Sequence, residues 1–373
     1  MQSNTKKKTQ KTLQKNLLWL RDNLFSSPSN SLLTLVSLWL TYICVTGVLD
    51  WAVWQASFSG TDRSVCAARP DGACWPFVTA KLGQFIYGNY PELERWRVNL
   101  VFLFGAIGLA LLVLPPLKTL QLPAKRRTAM VMLTVYPLVS LVLLVGGVFG
   151  LPVVQTTQWG GLLVTLVIAV TGIVASLPFG ILLALGRRSA LPAVRLFSII
   201  FIEIWRGVPL VTVLFMASVM LPLFLPEGMN FDALLRCLIG VTFFAAAYMA
   251  EVIRGGLQAI PKGQYEAGEA MGLSYWKSMR LIILPQALTT SIPGIVNTFI
   301  GLFKDTTLVM IVGIFDLLGV VTFHFTDPNW ATPQVSITGF VFAGAMFWVF
   351  CFAMSRYSIF IENKLTSDKG KSS

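Results

Sequence analysis

Histidine occurs once in 373 residues, at His324. A metal centre or a Ser-His-Asp relay built on imidazole therefore has no material. Charge is scarce as well. Asp, Glu, Lys and Arg make up 12% of the chain, against about 25% in an ordinary soluble domain. The cysteines Cys44, Cys66, Cys74, Cys237 and Cys351 form no Cys-x-x-Cys pair, so no metal knuckle is expected. A Gly-x-x-x-x-Gly-Lys-Ser/Thr phosphate loop is missing too. ATP hydrolysis by that route is excluded, and any ATP-driven work needs a motor on another chain. No metal, no cofactor and no catalytic residue is assigned to this polypeptide.

What is present is apolar surface. Hydrophobic residues make up 55% of the chain, and the mean hydropathy is +0.70. One aqueous globule cannot hide that much, so lipid is the solvent. Runs long enough for a helix to cross a bilayer occur near 30–50, 98–117, 129–150, 160–186, 207–226, 281–303 and 331–355. A shorter run at 233–250 carries Arg236. The fold class is therefore an all-α membrane protein with about eight transmembrane helices. Lys6, Lys7, Lys8, Lys11 and Lys15 precede an uncleaved first span, because that run exceeds a signal core and no cleavage site follows.

The net charge of +12 raises nucleic acid as a partner. The basic clusters argue for lipid instead. With the N-terminus in the cytoplasm, Lys125-Arg126-Arg127, the turn with Arg187, Arg188 and Arg195, the stretch 254–280 and the tail with Arg356 and Lys364 all fall inside. Positive-inside asymmetry sets that orientation, with both termini cytoplasmic and no nucleic-acid partner. The loop 51–97 then lies outside. Trp51, Trp54, Trp75 and Trp96 in it suit a membrane interface. Cys66 and Cys74 close a short polar loop there, either as a disulfide or as two free thiols. The expected organisation is a basic segment 1–30, a three-span unit 31–150, a five-span unit 155–364 and a tail 365–373.

The cytoplasmic stretch 259–285 stands out by length and polarity. Its grammar is a helical hairpin. Pro261 starts it, Gln264 to Met271 favour helix, and Gly272 fits a left-handed stop with Leu273 beyond. Ser274 suits an N-cap, and Pro285 interrupts or kinks the second helix. Such a knob fits a partner's groove; an amphipathic loop lying on the membrane is the alternative.

Glu266-Ala267-Gly268, then Gly272, then Ile282, Leu284 and Pro285 resemble the EAA loop of bacterial ABC importer permeases. Gly268 stands where that family usually has alanine. Glu203-Ile-Trp-Arg206-Gly-Val-Pro-Leu210, Ala247 to Gly256 and Lys304-Asp305-Thr306-Thr307-Leu308 look like the polar amino-acid branch of the same family. The resemblance runs from about Trp159 to Lys364. It implies a permease core in the last five spans and a coupling helix, with Glu266, Ala267, Gly268, Met271, Gly272 and Pro285 at the contact with an ATPase. It also implies partners: two ATP-binding subunits that hold ATP and magnesium, a second permease, and a periplasmic or lipid-anchored amino-acid-binding protein. The additional N-terminal spans resemble general L-amino-acid importers, in which the second permease is a different paralogue. The implied location is the bacterial cytoplasmic membrane.

Ionisable residues at membrane depth face a cavity or a partner. Glu203 with Arg206, and Glu251 with Arg254, are spaced to pair on one helix face. They either line the cytoplasmic mouth or anchor helix ends. Lys304, Asp305, Thr306 and Thr307 offer both charge signs and hydroxyl donors to a zwitterion, or mark a helix break. An ion-coupled secondary transporter is the competing function, but it favours an inverted repeat that the sequence does not show. A membrane enzyme lacks clustered catalytic side chains.

Overall fold

Ser27 starts the helix Pro28–Leu49 (α1). Its hydroxyl accepts from the Asn30 N–H at 3.2 Å, and proline sits in the first turn, where no N–H is needed. The computed structural model describes residues 18–113, 122–224, 226 and 231–370, with side chains described except at 113, 122–126 and 364–370. The lysine-rich start, Lys118 and the stretch 227–230 lie outside the described residues. Those described form helices and no strand, apart from three isolated bridges. After α1 come Trp75–Tyr87 (α2), Arg95–Val113 (α3), Leu122–Val145 (α4), Gly161–Arg187 (α5), Pro192–Gly207 (α6) and Leu210–Phe215 (α7). Ala233–Gln258 (α8), Lys262–Ala270 (α9), Tyr275–Ser278 (α10), Leu284–Asp305 (α11), Leu317–Phe323 (α12) and Pro333–Gly370 (α13) follow. Among the described residues seven helical stretches are long and apolar enough to cross a membrane, or eight counting one bent pair.

That bent pair corrects the expected span at 207–226. Pro192–Gly207 and Leu210–Phe224 meet at 105°. Val208 is extended (φ −109°, ψ 134°) because the ring of Pro209 disfavours helical geometry in the residue before it. The other expected spans are found, displaced or lengthened at their ends: the short run at 233–250 is a helix to Gln258. The segment 51–97, expected as a loop, is not a plain loop either. It holds α2, and Arg97 is wholly buried at the start of a span. Its guanidinium binds Glu94 at 2.6 Å and donates to the Pro152 carbonyl at 3.0 Å, which satisfies a charge that would otherwise be costly.

Two compact units arise. The first runs to Thr79 and takes in Pro328–Thr338. Here Cys66 and Cys74 are joined, with Cα atoms 5.4 Å apart. The Cys74 N–H donates to Thr338 Oγ1 at 2.9 Å, Arg69 donates to the Ala56 carbonyl at 2.7 Å, and Trp75 Nε1 donates to the Ala52 carbonyl at 2.8 Å.

The second unit is Ala80–Asp327 with Gly339–Ser373. Its centre is the pair α5 and α8. Leu163, Val164 and Ile168 meet Cys237, Val241 and Ala245 in one buried cluster, and Ala184 meets Met249, Ala250 and Ile253 in another. Gly180 allows the close approach, since a Cβ there would stand 2.7 Å from that of Met249. Asp316 closes the end of α5 at Gly161. Its carboxylate accepts from the Gly319 N–H at 2.8 Å, and the Leu317 N–H donates to Thr165 at 2.9 Å. Burial pushes the Asp316 carboxyl up to about 6. An acid whose pKa rises on folding lends stability below its unfolded value of 3.8 and loses it as pH climbs through about 6. Thermal melts from pH 4 to 7 are expected to fall over that window, and Asp316→Asn, which keeps the cap acceptor, is expected to flatten the decline.

Candidate functional site

The hairpin after α8 is built much as its residues require. Pro261 precedes α9 with φ −57° and ψ 141°. Gly272 adopts φ +69°, where L-residues are strained, and the Leu273 N–H donates back to the Gly268 carbonyl at 3.1 Å. That backward bond makes the stop a tight turn. Ser274 sits at the N-cap of α10, but its side chain makes no capping bond. Pro285 corrects the expected interruption. A wider turn at Met279–Ile283 takes up the missing hydrogen bond, and the chain continues as α11 with proline in its first turn.

The tip is exposed and apolar. Met271 is 66%, Tyr275 53% and Trp276 68% exposed, and Glu266 and Ala267 lie on the open face. Gly268 faces the other way and is buried against Ser278 and Ile282. A Cβ at 268 would crowd the Ser278 side chain, so the glycine that departs from the usual alanine fits its neighbour here. Gly272 has open space where a side chain would go.

A charged cluster lies where α5, α6 and α8 end. Glu251 of α8 accepts from Arg187 at 2.8 Å and from Arg254 at 2.7 Å, with Arg206 at 3.8 Å. The expected pair Glu251 and Arg254 is present. The expected pair Glu203 and Arg206 is not. Glu203 instead meets Arg187 at 3.0 Å, while Arg206 turns to Glu251 and lies over the Tyr248 ring, 5.6 Å from its centroid. The aromatic face and the more enclosed carboxylate outcompete an exposed neighbour on the same helix. Arg187 carries no local signal of its role, because its partners lie 16 and 64 residues away in the chain rather than on its own helix.

Lys304 to Thr307 mark the change from α11 to a tighter turn at Thr306–Val312. Thr306 is buried and donates to the Phe303 carbonyl at 2.8 Å; Thr307 donates to the Lys304 carbonyl at 2.9 Å. Both hydroxyl protons are engaged by their own helix, so neither is presented to a solute in this conformation. No group of three or more His, Cys, Asp or Glu side chains suited to a metal occurs among the described residues.

Residues 176–366 match the family described as binding-protein-dependent transport system inner membrane component. The chain belongs to this family. As a binding-protein-dependent permease it is 52% identical, over 95% of its length and 94% of the relative's, to the inner membrane amino-acid ABC transporter permease protein YhdY of Escherichia coli K12. It is 40% identical to the glutamate/glutamine/aspartate/asparagine transport system permease protein BztC of Rhodobacter capsulatus, over 94% of both chains. Among solved structures, an amino acid ABC transporter aligns with the permease at 27% identity and a TM-score of 0.48, covering 55% of this chain and 92% of that one. This chain is a multi-pass protein of the inner membrane.

Proposed function

We propose that this permease forms half of the translocation pathway of an ATP-driven importer of L-amino acids, with α9 and the tip at Gly272 as its coupling helix. The observation that carries the proposal is the tip itself: a short helix ended by a left-handed glycine, with Met271 and the edge-to-face rings of Tyr275 and Trp276 exposed beside it. An ABC motor docks on such a knob. Two ATP-binding subunits supply the hydrolysis that this chain's sequence gives no loop for. A second, different permease completes the pore, and a binding protein delivers the amino acid from outside. Similarity to relatives named for amino-acid transport supports the substrate class. The core is the five-span stretch 155–364, which contains most of the family match. Affinity purification of the tagged chain from its own membrane is expected to bring down an ATP-binding subunit. Recovery of the chain with no nucleotide-binding companion would overturn the proposal.

Both termini and the hairpin face the cytoplasm, which places the Cys66–Cys74 loop outside. In intact cells a membrane-impermeant thiol reagent is expected to label that pair only after reduction, while Met271→Cys stays unlabelled until the membrane is opened. A loop of this size closed by a disulfide gains about 2–3 kcal/mol, so Cys66→Ser with Cys74→Ser is expected to loosen the outer segment measurably in limited proteolysis.

A further inference from the structure

Two neighbouring arginines at the end of α5 point to different places. Successive residues on a helix project about 100° apart, so adjacent side chains at a helix end can serve two different neighbours. Arg187 enters the charged cluster, binding Glu251 at 2.8 Å and Glu203 at 3.0 Å. Arg188 turns to the coupling helix. Its guanidinium donates to the Tyr265 hydroxyl at 3.0 Å and lies 5.5 Å from the centre of that ring. The Tyr265 hydroxyl in turn donates to the Leu257 carbonyl on α8 at 3.2 Å. The Arg188 guanidinium also reaches that carbonyl at 3.4 Å, so phenol and guanidinium together gather the ends of α5 and α8 onto α9.

The coupling helix is joined to α8 through residues 259–261, and through the hairpin it leads into α11. Its other polar tie, Gln264 to Gln286 at 3.1 Å, also reaches α11. α5 is distant in sequence, and Tyr265 with Arg188 brings it onto the same lever. We propose that Arg188 and Tyr265 transmit displacement of the coupling helix to α5, and that Arg187 beside them passes it to the charged cluster joining α5, α6 and α8. This inference rests on the coupling role given to α9 above. A planar guanidinium held by a hydroxyl and an aromatic face resists sliding in two directions, which suits a strut better than a flexible ammonium would. Arg188 and Tyr265 are positioning residues: they act through the helices they hold.

The test uses the complete transporter in proteoliposomes and reads amino acid imported per ATP hydrolysed. Tyr265→Phe keeps the ring and removes the hydroxyl; Arg188→Gln removes the charge. Each is expected to lower imported amino acid per ATP by about fivefold or more, with the ATPase subunits still bound. The double variant is expected to fall no further than the worse single one, because both break one link. Unchanged import per ATP in both single variants, or losses that multiply in the double variant, would overturn the link while leaving the coupling helix intact. A wild-type chain that binds no ATPase would overturn both.

Discussion

Gly272→Asp is expected to abolish ATP-driven uptake while the protein still inserts and folds. The position separates folding from docking. A side chain there meets nothing within 4 Å inside the chain, so the fold itself has no steric objection. The backbone at φ +69° costs most L-residues about 1–2 kcal/mol, and Asp and Asn less. The negative charge would instead sit beside Met271 and Trp276, on the apolar tip that enters the motor's groove. An unpaired charge forced into an interface costs about 2–5 kcal/mol, enough to lower uptake by at least about tenfold. Gly272→Asn is the control. It carries nearly the same size and backbone preference without the charge, and is expected to retain most uptake. Equal loss in both variants would assign the effect to backbone strain.

Glu251→Gln is expected to be the most destabilising single change outside the apolar core. Glu251 is the common partner of Arg187, Arg206 and Arg254, and its side chain is only 15% exposed. Removing its charge leaves three guanidiniums with Glu203 alone, and Glu203 is more than half exposed. Breaking a fully buried ion pair from one side costs about 3–5 kcal/mol. The arginines here keep between 26% and 37% of their side-chain surface in solvent, so screening lowers the expected loss to about 1–3 kcal/mol. Arg206→Gln is expected to cost less, because that arginine stands 3.8 Å from the carboxylate, farther than Arg187 and Arg254. Melting curves in one detergent would rank the variants. Equal melting of Glu251→Gln and the wild type would show that the cluster holds nothing together.

The parts that the sequence made legible are those fixed by local chemistry. Apolar length located the spans, because the bilayer imposes one length on every crossing helix. Gly272 announced the end of α9, since a left-handed stop followed by an apolar residue has few sequence solutions. What was missed depends on distant partners. Glu203 and Arg206 have ideal spacing, yet their actual partners come from α5 and α8. Pro285 reads as a break, but a wider turn upstream absorbs it, and no single residue signals such a turn. The apolar run at 207–226 gives no sign of the 105° corner at Pro209, and α6 lies outside every expected run because Arg195, Glu203 and Arg206 dilute its apolar face. Gly268 departs from the family's alanine, and nothing near it in sequence signals that Ser278 packs against it.

The most direct measurement places a photo-activated cross-linker at position 271 of the tip, in native membranes, with and without ATP. A motor seated on this knob predicts a covalent product between the chain and an ATP-binding subunit, with a yield that changes when nucleotide closes the motor. Cross-links to lipid alone, or to a protein outside the cell membrane, would contradict the placement of the lever and the mode of action built on it.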